Sequence, residues 1–88
     1  MKQITVLYFA AATTATGLTF ETVSLSEEPP FYLSALADLL ISRHPNSDLG
    51  MVLQTSQWSV DAEMVDDPAQ YVLKGGEEVA VICPVSGG

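Results

Sequence analysis

From Ile4 to Ala11 the chain reads ITVLYFAA, apolar almost throughout and rich in β-branched and aromatic residues. Such a run predicts a central strand with both faces covered. ATTATG, residues 12–17, is small, polar and ends on glycine, and it predicts a hairpin loop. LTFETVSL, Leu18 to Leu25, then alternates. Leu18, Phe20, Thr22 and Ser24 share one parity, while Val23 and Leu25 take the other. The alternation slips near Thr22, which marks a bulge or a strand end. This stretch predicts an antiparallel partner for the first strand.

SEEPP, residues 26–30, predicts a helix entrance. Ser26 can cap, Glu27 and Glu28 suit the positive helix end, and proline is tolerated only in a first turn. From Phe31 to Arg43 the apolar residues Leu33, Leu36, Ala37 and Leu40 recur at helical spacing, flanked by Tyr32 and Leu39. Arg43 and His44 suit the last turn, and Pro45-Asn46 stops it. DLGMVLQTS, Asp48 to Ser56, fits a short helix and a strand equally well. WSVDAEMV, Trp58 to Val65, predicts two short strands turning at Asp61-Ala62. Residues 66–78 carry Pro68 and Gly75-Gly76 and predict loop with one short turn. EVAVIC, Glu78 to Cys83, predicts a final strand, and Pro84 ends it because proline cannot donate to a ladder.

The order is β-β-α, then short strands, then β. The first and last strands are the most apolar, which places them together at the sheet centre, parallel and joined by a crossover. One main helix on one face of a mixed sheet of about five strands is an α+β fold of the β-grasp, or ubiquitin-like, kind. The domain is expected over residues 1–83, with residues 84–88 as a flexible diglycine tail. Both central strands are apolar on both parities: Ile4, Val6 and Tyr8 against Leu7 and Phe9, and Val79 and Val81 against Ala80 and Ile82. A helix covers one set. The other is expected as an apolar patch on the opposite face, near the tail, that a partner covers.

Composition narrows the partner. Only 16% of residues are charged, against about 25% in an ordinary domain. The net charge is −8, and Lys2, Arg43 and Lys74 are the cations. That balance excludes binding to phosphate backbones and repels anionic membranes. It leaves a basic protein partner, or acidity that serves solubility. Cys83 is the single cysteine and fits a reducing compartment. The start lacks a signal-peptide pattern, and no apolar run nears the roughly 20 residues that span a bilayer. A cytosolic protein is expected.

Ordinary catalytic groups are thin. His44 beside Pro45 reads as a helix end. One His and one Cys far apart make no metal site. Asp66-Asp67 and Glu77-Glu78 flank loops and read as solvated acids. Cys83 lacks a nearby cation to lower its pKa and reads as a small buried hydrophobe. The acids after Gly75-Gly76 would repel phosphate. The tail is left. Without Cβ atoms, Gly87 and Gly88 can thread a narrow channel. Their reactive group is the terminal carboxylate, ionised at neutral pH and inert as an acyl group until activated, for example as an acyl-adenylate. The tail therefore suits a substrate worked on by other enzymes; a frayed terminus is the plain alternative.

Three stretches, ITVLYFA, WSVDAEMV and LKGGEEVAVICPVSGG, carry a resemblance over nearly the whole chain. The chain resembles the family of molybdopterin synthase small subunits, ubiquitin-like sulfur carriers of molybdenum cofactor biosynthesis. Gly76-Glu77-Glu78-Val79 matches the family's Gly-Asp-Glu-Val, and Pro84-Val85-Ser86-Gly87-Gly88 matches its ending. The resemblance implies that an E1-like enzyme adenylates the Gly88 carboxylate and that sulfur transfer makes it a thiocarboxylate. Pro84, Val85, Ser86 and Gly87 would carry it into the active site of the large subunit. There sulfur passes, twice per product, to cyclic pyranopterin monophosphate to build the dithiolene. The resemblance further implies a heterotetramer of two small and two large subunits. Catalytic side chains would lie on the large subunit, with no metal or bound cofactor on this chain. Phe9, Met64 and Ile82 take the positions of the family's apolar contacts with that subunit.

Departures are few. Cys83 stands where the first of two prolines is common, and Asp61 where Asn is common. The Thr-rich loop after the first strand replaces a basic residue near the interface. Residues 42–57 match poorly and take no role. Thiamine-pathway carriers and tRNA-thiolation modifiers share the fold and the terminal chemistry, but the Pro-Val-Ser-Gly-Gly ending favours the molybdopterin branch. A plain β-grasp binding module with an inert tail is the alternative from another class.

Overall fold

The computed structural model describes residues 2–25 and 30–83. Its elements are β1 (Lys2–Tyr8), α1 (Ala11–Thr16), β2 (Phe20–Leu25), β3 (Phe31–Tyr32), α2 (Leu33–Arg43), α3 (Leu49–Thr55), β4 (Gln57–Val60), β5 (Glu63–Val65), a 3-10 turn (Pro68–Gln70), β6 (Val72–Leu73) and β7 (Glu78–Ile82). Five strands form one mixed sheet in the order β2-β1-β7-β4-β5. The pair β1 and β7 is parallel, with Val6 beside Val79 and Tyr8 beside Val81. The other pairs are antiparallel. Strands β3 and β6 make a separate two-stranded ribbon. This is the expected β-grasp arrangement, with the first and last strands adjacent and parallel.

Alternation decides what each face does. Ile4, Val6 and Tyr8 of β1, Val79 and Val81 of β7, and Trp58 and Val60 of β4 all point into one core. Leu33, Leu36 and Leu40 of α2 pack on them, spaced as the helical period requires. Leu49 and Leu53 of α3 and Ala12 of α1 complete the layer.

Three expectations need correction. Residues 12–17 are not a hairpin loop: α1 occupies Ala11–Thr16. Threonine is a poor helix former, but burial of Ala12 and partial burial of Ala15 against the core override propensity. Gly17 closes α1 in a left-handed conformation, φ 74°, its N–H donating to the Thr13 carbonyl. The main helix also starts late. Phe31–Tyr32 is extended and pairs with Val72–Leu73, so α2 begins at Leu33, whose N–H donates to the Tyr71 carbonyl at 2.8 Å. Of the predicted helix entrance at residues 26–30, residues 26–29 lie outside the described residues. Finally, Glu77 is not simply solvated. Its carboxylate accepts the N–H groups of Lys74 at 2.8 Å and Gly75 at 2.7 Å and folds the loop before β7. Gly75 has φ 112°, and a Cβ there would press on Lys2 at 3.2 Å. Asp48–Ser56, open between two readings, is helical over Leu49–Thr55.

The turn at Asp61-Ala62 falls where expected, with φ of 50° and 71°. Asp61 ties it to β7 twice: its N–H donates to the Glu78 carbonyl, and its Oδ1 accepts the Glu78 N–H, each at 2.9 Å.

One polar cluster joins helix to sheet. Glu21 of β2 accepts the Tyr8 hydroxyl at 2.6 Å on Oε2 and the Arg43 Nε–H at 2.7 Å on Oε1. His44 Nε2 lies 2.7 Å from Oε2. Burial, and then the bond to Glu21, raise the Tyr8 hydroxyl above its ordinary range. Burial alone would raise the Glu21 carboxyl too. The hydrogen bonds from Tyr8, His44 and Arg43 outweigh burial and hold it below the ordinary carboxylate range. A depressed carboxyl stabilises the fold above its unfolded pKa, and that contribution is lost as pH falls through the folded pKa. Glu21→Gln is therefore expected to lower the unfolding free energy by about 1–3 kcal/mol near neutral pH, and by less under acid conditions. Urea unfolding of both proteins across a pH series checks this; a deficit that stays constant with pH would refute the electrostatic origin.

Candidate functional site: the open face of the sheet

Among the described residues, α1, α2 and α3 all contribute to the core on one side of the sheet. The other side carries the second parity. Strand register aligns Phe20 of β2 with Leu7 of β1, Leu7 with Ala80 of β7, Ala80 with Ser59 of β4, and Ser59 with Met64 of β5. These five residues form one row across all five strands. The next row, toward the strand ends, holds Ile82 beside Gln57, with Phe9 two residues beyond Leu7.

The row has relief. Phe20 is 58% exposed and Met64 53% exposed at its two ends. Ala80 and Ser59 between them are small and buried. Strand spacing sets the two ends roughly 19 Å apart. Phe9, 48% exposed, adds a third open apolar side chain. Its neighbour Tyr8 is in the core, so adjacent aromatics serve opposite faces.

The structure thus brings Phe9, Met64 and Ile82 onto one face. Sequence reasoning missed Phe20 there. Its parity with Leu18 was legible, but its place opposite Leu7 depends on register. Glu21 was missed as well, because its partners are distant in sequence. Cys83 is half-buried; its thiol donates to the Phe9 carbonyl at 3.2 Å, and Ser56 Oγ lies 3.8 Å from it. It packs against the margin of the core on the helix side, one residue past Ile82, where the described chain ends. A groove of about 500 Å³ between α1 and α3 also reaches Cys83, lined by Ala11, Asp48, Met51, Val52 and Thr55. Among the described residues no cluster of three His, Cys, Asp or Glu could hold a metal. His44 is engaged with Glu21 at the end of α2. Pro84, Val85, Ser86, Gly87 and Gly88 lie outside the described residues.

The sequence model of the ThiS family matches residues 6–88. The chain belongs to the ThiS family. Within it, the chain is 42% identical over 87 residues to the molybdopterin synthase sulfur carrier subunit of Mycosarcoma maydis, covering 97% of this chain and 92% of that one. It is 38% identical over 87 residues to the human protein of the same name, covering 98% and 94%. Solved structures share the fold. Small archaeal modifier protein 1 of Methanosarcina acetivorans superposes with a TM-score of 0.78 at 19% identity, covering 100% of this chain and 98% of that one. A chain from the complex of subunits 1 and 2 of the Helicobacter pylori molybdopterin-converting factor gives 0.68 at 17% identity, covering 98% and 99%.

The opposite facing of Tyr8 and Phe9 is directly testable in this ThiS-family chain. Tyr8→Ala is expected to cost about 3–5 kcal/mol of unfolding free energy, as for a buried aromatic. Phe9→Ala should stay within about 0.5 kcal/mol of the unmodified protein, as for an open surface site. Denaturant titration measures both, and equal losses would contradict the facing.

Proposed function

We propose that this chain is the sulfur carrier subunit of a molybdopterin synthase, acting in the cytosol. One observation carries the reading: the open apolar face borders the strand end from which residues 84–88 continue. A partner seated on that face lies next to the start of the tail. The full-length likeness to the sulfur carrier subunits of Mycosarcoma maydis and human supports the same reading. So does the fold shared with a chain of the Helicobacter pylori two-subunit complex.

In this reading the large synthase subunit covers the face, with Phe9, Met64 and Ile82 as apolar anchors. Pro84, Val85, Ser86 and Gly87 lead Gly88 into its active site. An E1-like enzyme first activates Gly88: a carboxylate oxygen attacks the α-phosphate of ATP, pyrophosphate leaves, and a mixed anhydride forms. A sulfide-level sulfur, HS⁻ released by the sulfur donor, then attacks the acyl carbon and AMP departs with the bonding pair, leaving a thiocarboxylate. Sulfur passes from it to cyclic pyranopterin monophosphate on the large subunit. This chain supplies sulfur and the large subunit supplies catalytic side chains, in an assembly of two small and two large subunits. The net charge of −8 favours rapid encounter with basic partners.

Incubation with the E1-like enzyme, ATP and a sulfur donor should replace one C-terminal oxygen by sulfur, read by intact mass; an unchanged mass would refute the carrier function. Deleting Gly88, or appending a residue after it, should abolish sulfur transfer while circular dichroism and binding to the large subunit hold. Unfolding of the deletion variant would instead make the tail a structural part.

A further inference from the structure

We propose that Phe20 is a further anchor of this docking face, gripping the large subunit from the edge strand β2. The inference rests on the function proposed above. It starts from the alternation of β2. Glu21 is held inward by Tyr8, Arg43 and His44. Phe20 must therefore face outward, where it pairs with Leu7. It takes no part in the core and is 58% exposed. A lone exposed aromatic is ordinary, but this one is continuous with Leu7 and Ala80, and the row reaches Met64 past the small Ser59. Leu18, two residues before it in the bend that leads into β2, is also exposed.

The relief of the row says what kind of surface fits. Phe20 and Met64 stand as two walls, and Ala80 and Ser59 form a low floor between them. A convex ridge of small or aliphatic side chains on the large subunit fills such a trough and buries both walls. Beyond Phe20 and Leu7 the next row is polar, Thr22 beside Thr5 and Thr5 beside Glu78. An apolar centre bounded by a polar row is the pattern of an interface whose energy sits in a few buried side chains. An aromatic at the wall loses little side-chain freedom on docking, which favours Phe20 as one of those few.

The test is calorimetric titration of the full chain with the large synthase subunit, with dissociation rates from surface resonance. Phe20→Ala and Phe20→Thr are compared with Phe9→Ala; the Thr variant keeps a residue of high strand propensity at this position. Both Phe20 variants should bind at least tenfold more weakly, mainly through faster dissociation, with melting temperatures within about 2 °C of the unmodified chain. Unmodified affinity in both, alongside weakened Phe9→Ala, would overturn the role of Phe20 and leave the proposed function standing. No binding by the unmodified chain would overturn both. Unfolding of both variants would assign Phe20 to the fold. Self-association of the free chain that Phe20→Ala abolishes, with large-subunit affinity unchanged, would assign the face to a second copy and refute the proposal.

Discussion

Strands β1 and β7 come from opposite ends of the described chain and lie side by side, Thr5 by Glu78 through Tyr8 by Val81. A parallel pair cannot be closed by a hairpin, so the chain between them must cross over. Helices α2 and α3 lie in that crossover, and the handedness of such connections sets them on one side. From this follows the asymmetry of the sheet. Val6, Tyr8, Val79 and Val81 are sealed beneath helices, while Leu7, Phe9, Ala80 and Ile82 are left to the other face. Parallel strands also end at the same edge. Phe9 and Cys83 meet there through a single S–H to carbonyl bond.

The Glu21 cluster secures the same asymmetry from the other direction. It pins the end of α2 to the edge strand and fixes which side of β2 faces in. A slip of one residue in β2 would bury Phe20 and expose Glu21, trading a carboxylate with three partners for an aromatic with none. The ion pair at the helix end thus acts as a register lock for the apolar row on the far side.

Much of this was legible in the residues. Apolar runs at both chain ends announced the two central strands, and Leu33, Leu36 and Leu40 announced α2. Asp61-Ala62 marked a turn because Asp suits turn backbone and short strand-like stretches flank it on both sides. What stayed hidden depended on tertiary contact. Helix α1 is written in alanines and threonines without an apolar period, and packing of Ala12 and Ala15 on the core with the Gly17 cap secures it. Phe31-Tyr32 continues the helical pattern of α2 yet pairs with Val72-Leu73, since a two-residue ribbon has no periodicity to read. The double parity of the central strands foretold an open apolar face and placed Phe9 and Ile82 on it. The place of Phe20 in that row required knowing that it stands opposite Leu7.

The bond between Cys83 and Phe9 has a kinetic meaning. It holds Cys83, the residue before the last five, to the backbone just past β1. Five residues reach at most about 17 Å when extended, so in the proposed assembly the terminal carboxylate would lie within that distance of the strand end. Short tethers of this kind raise the local concentration of the tethered group to the millimolar range. In that proposed assembly, encounter between the terminus and the large subunit's active site would be an intramolecular event. Its rate depends on where the strand stops rather than on how much protein is present.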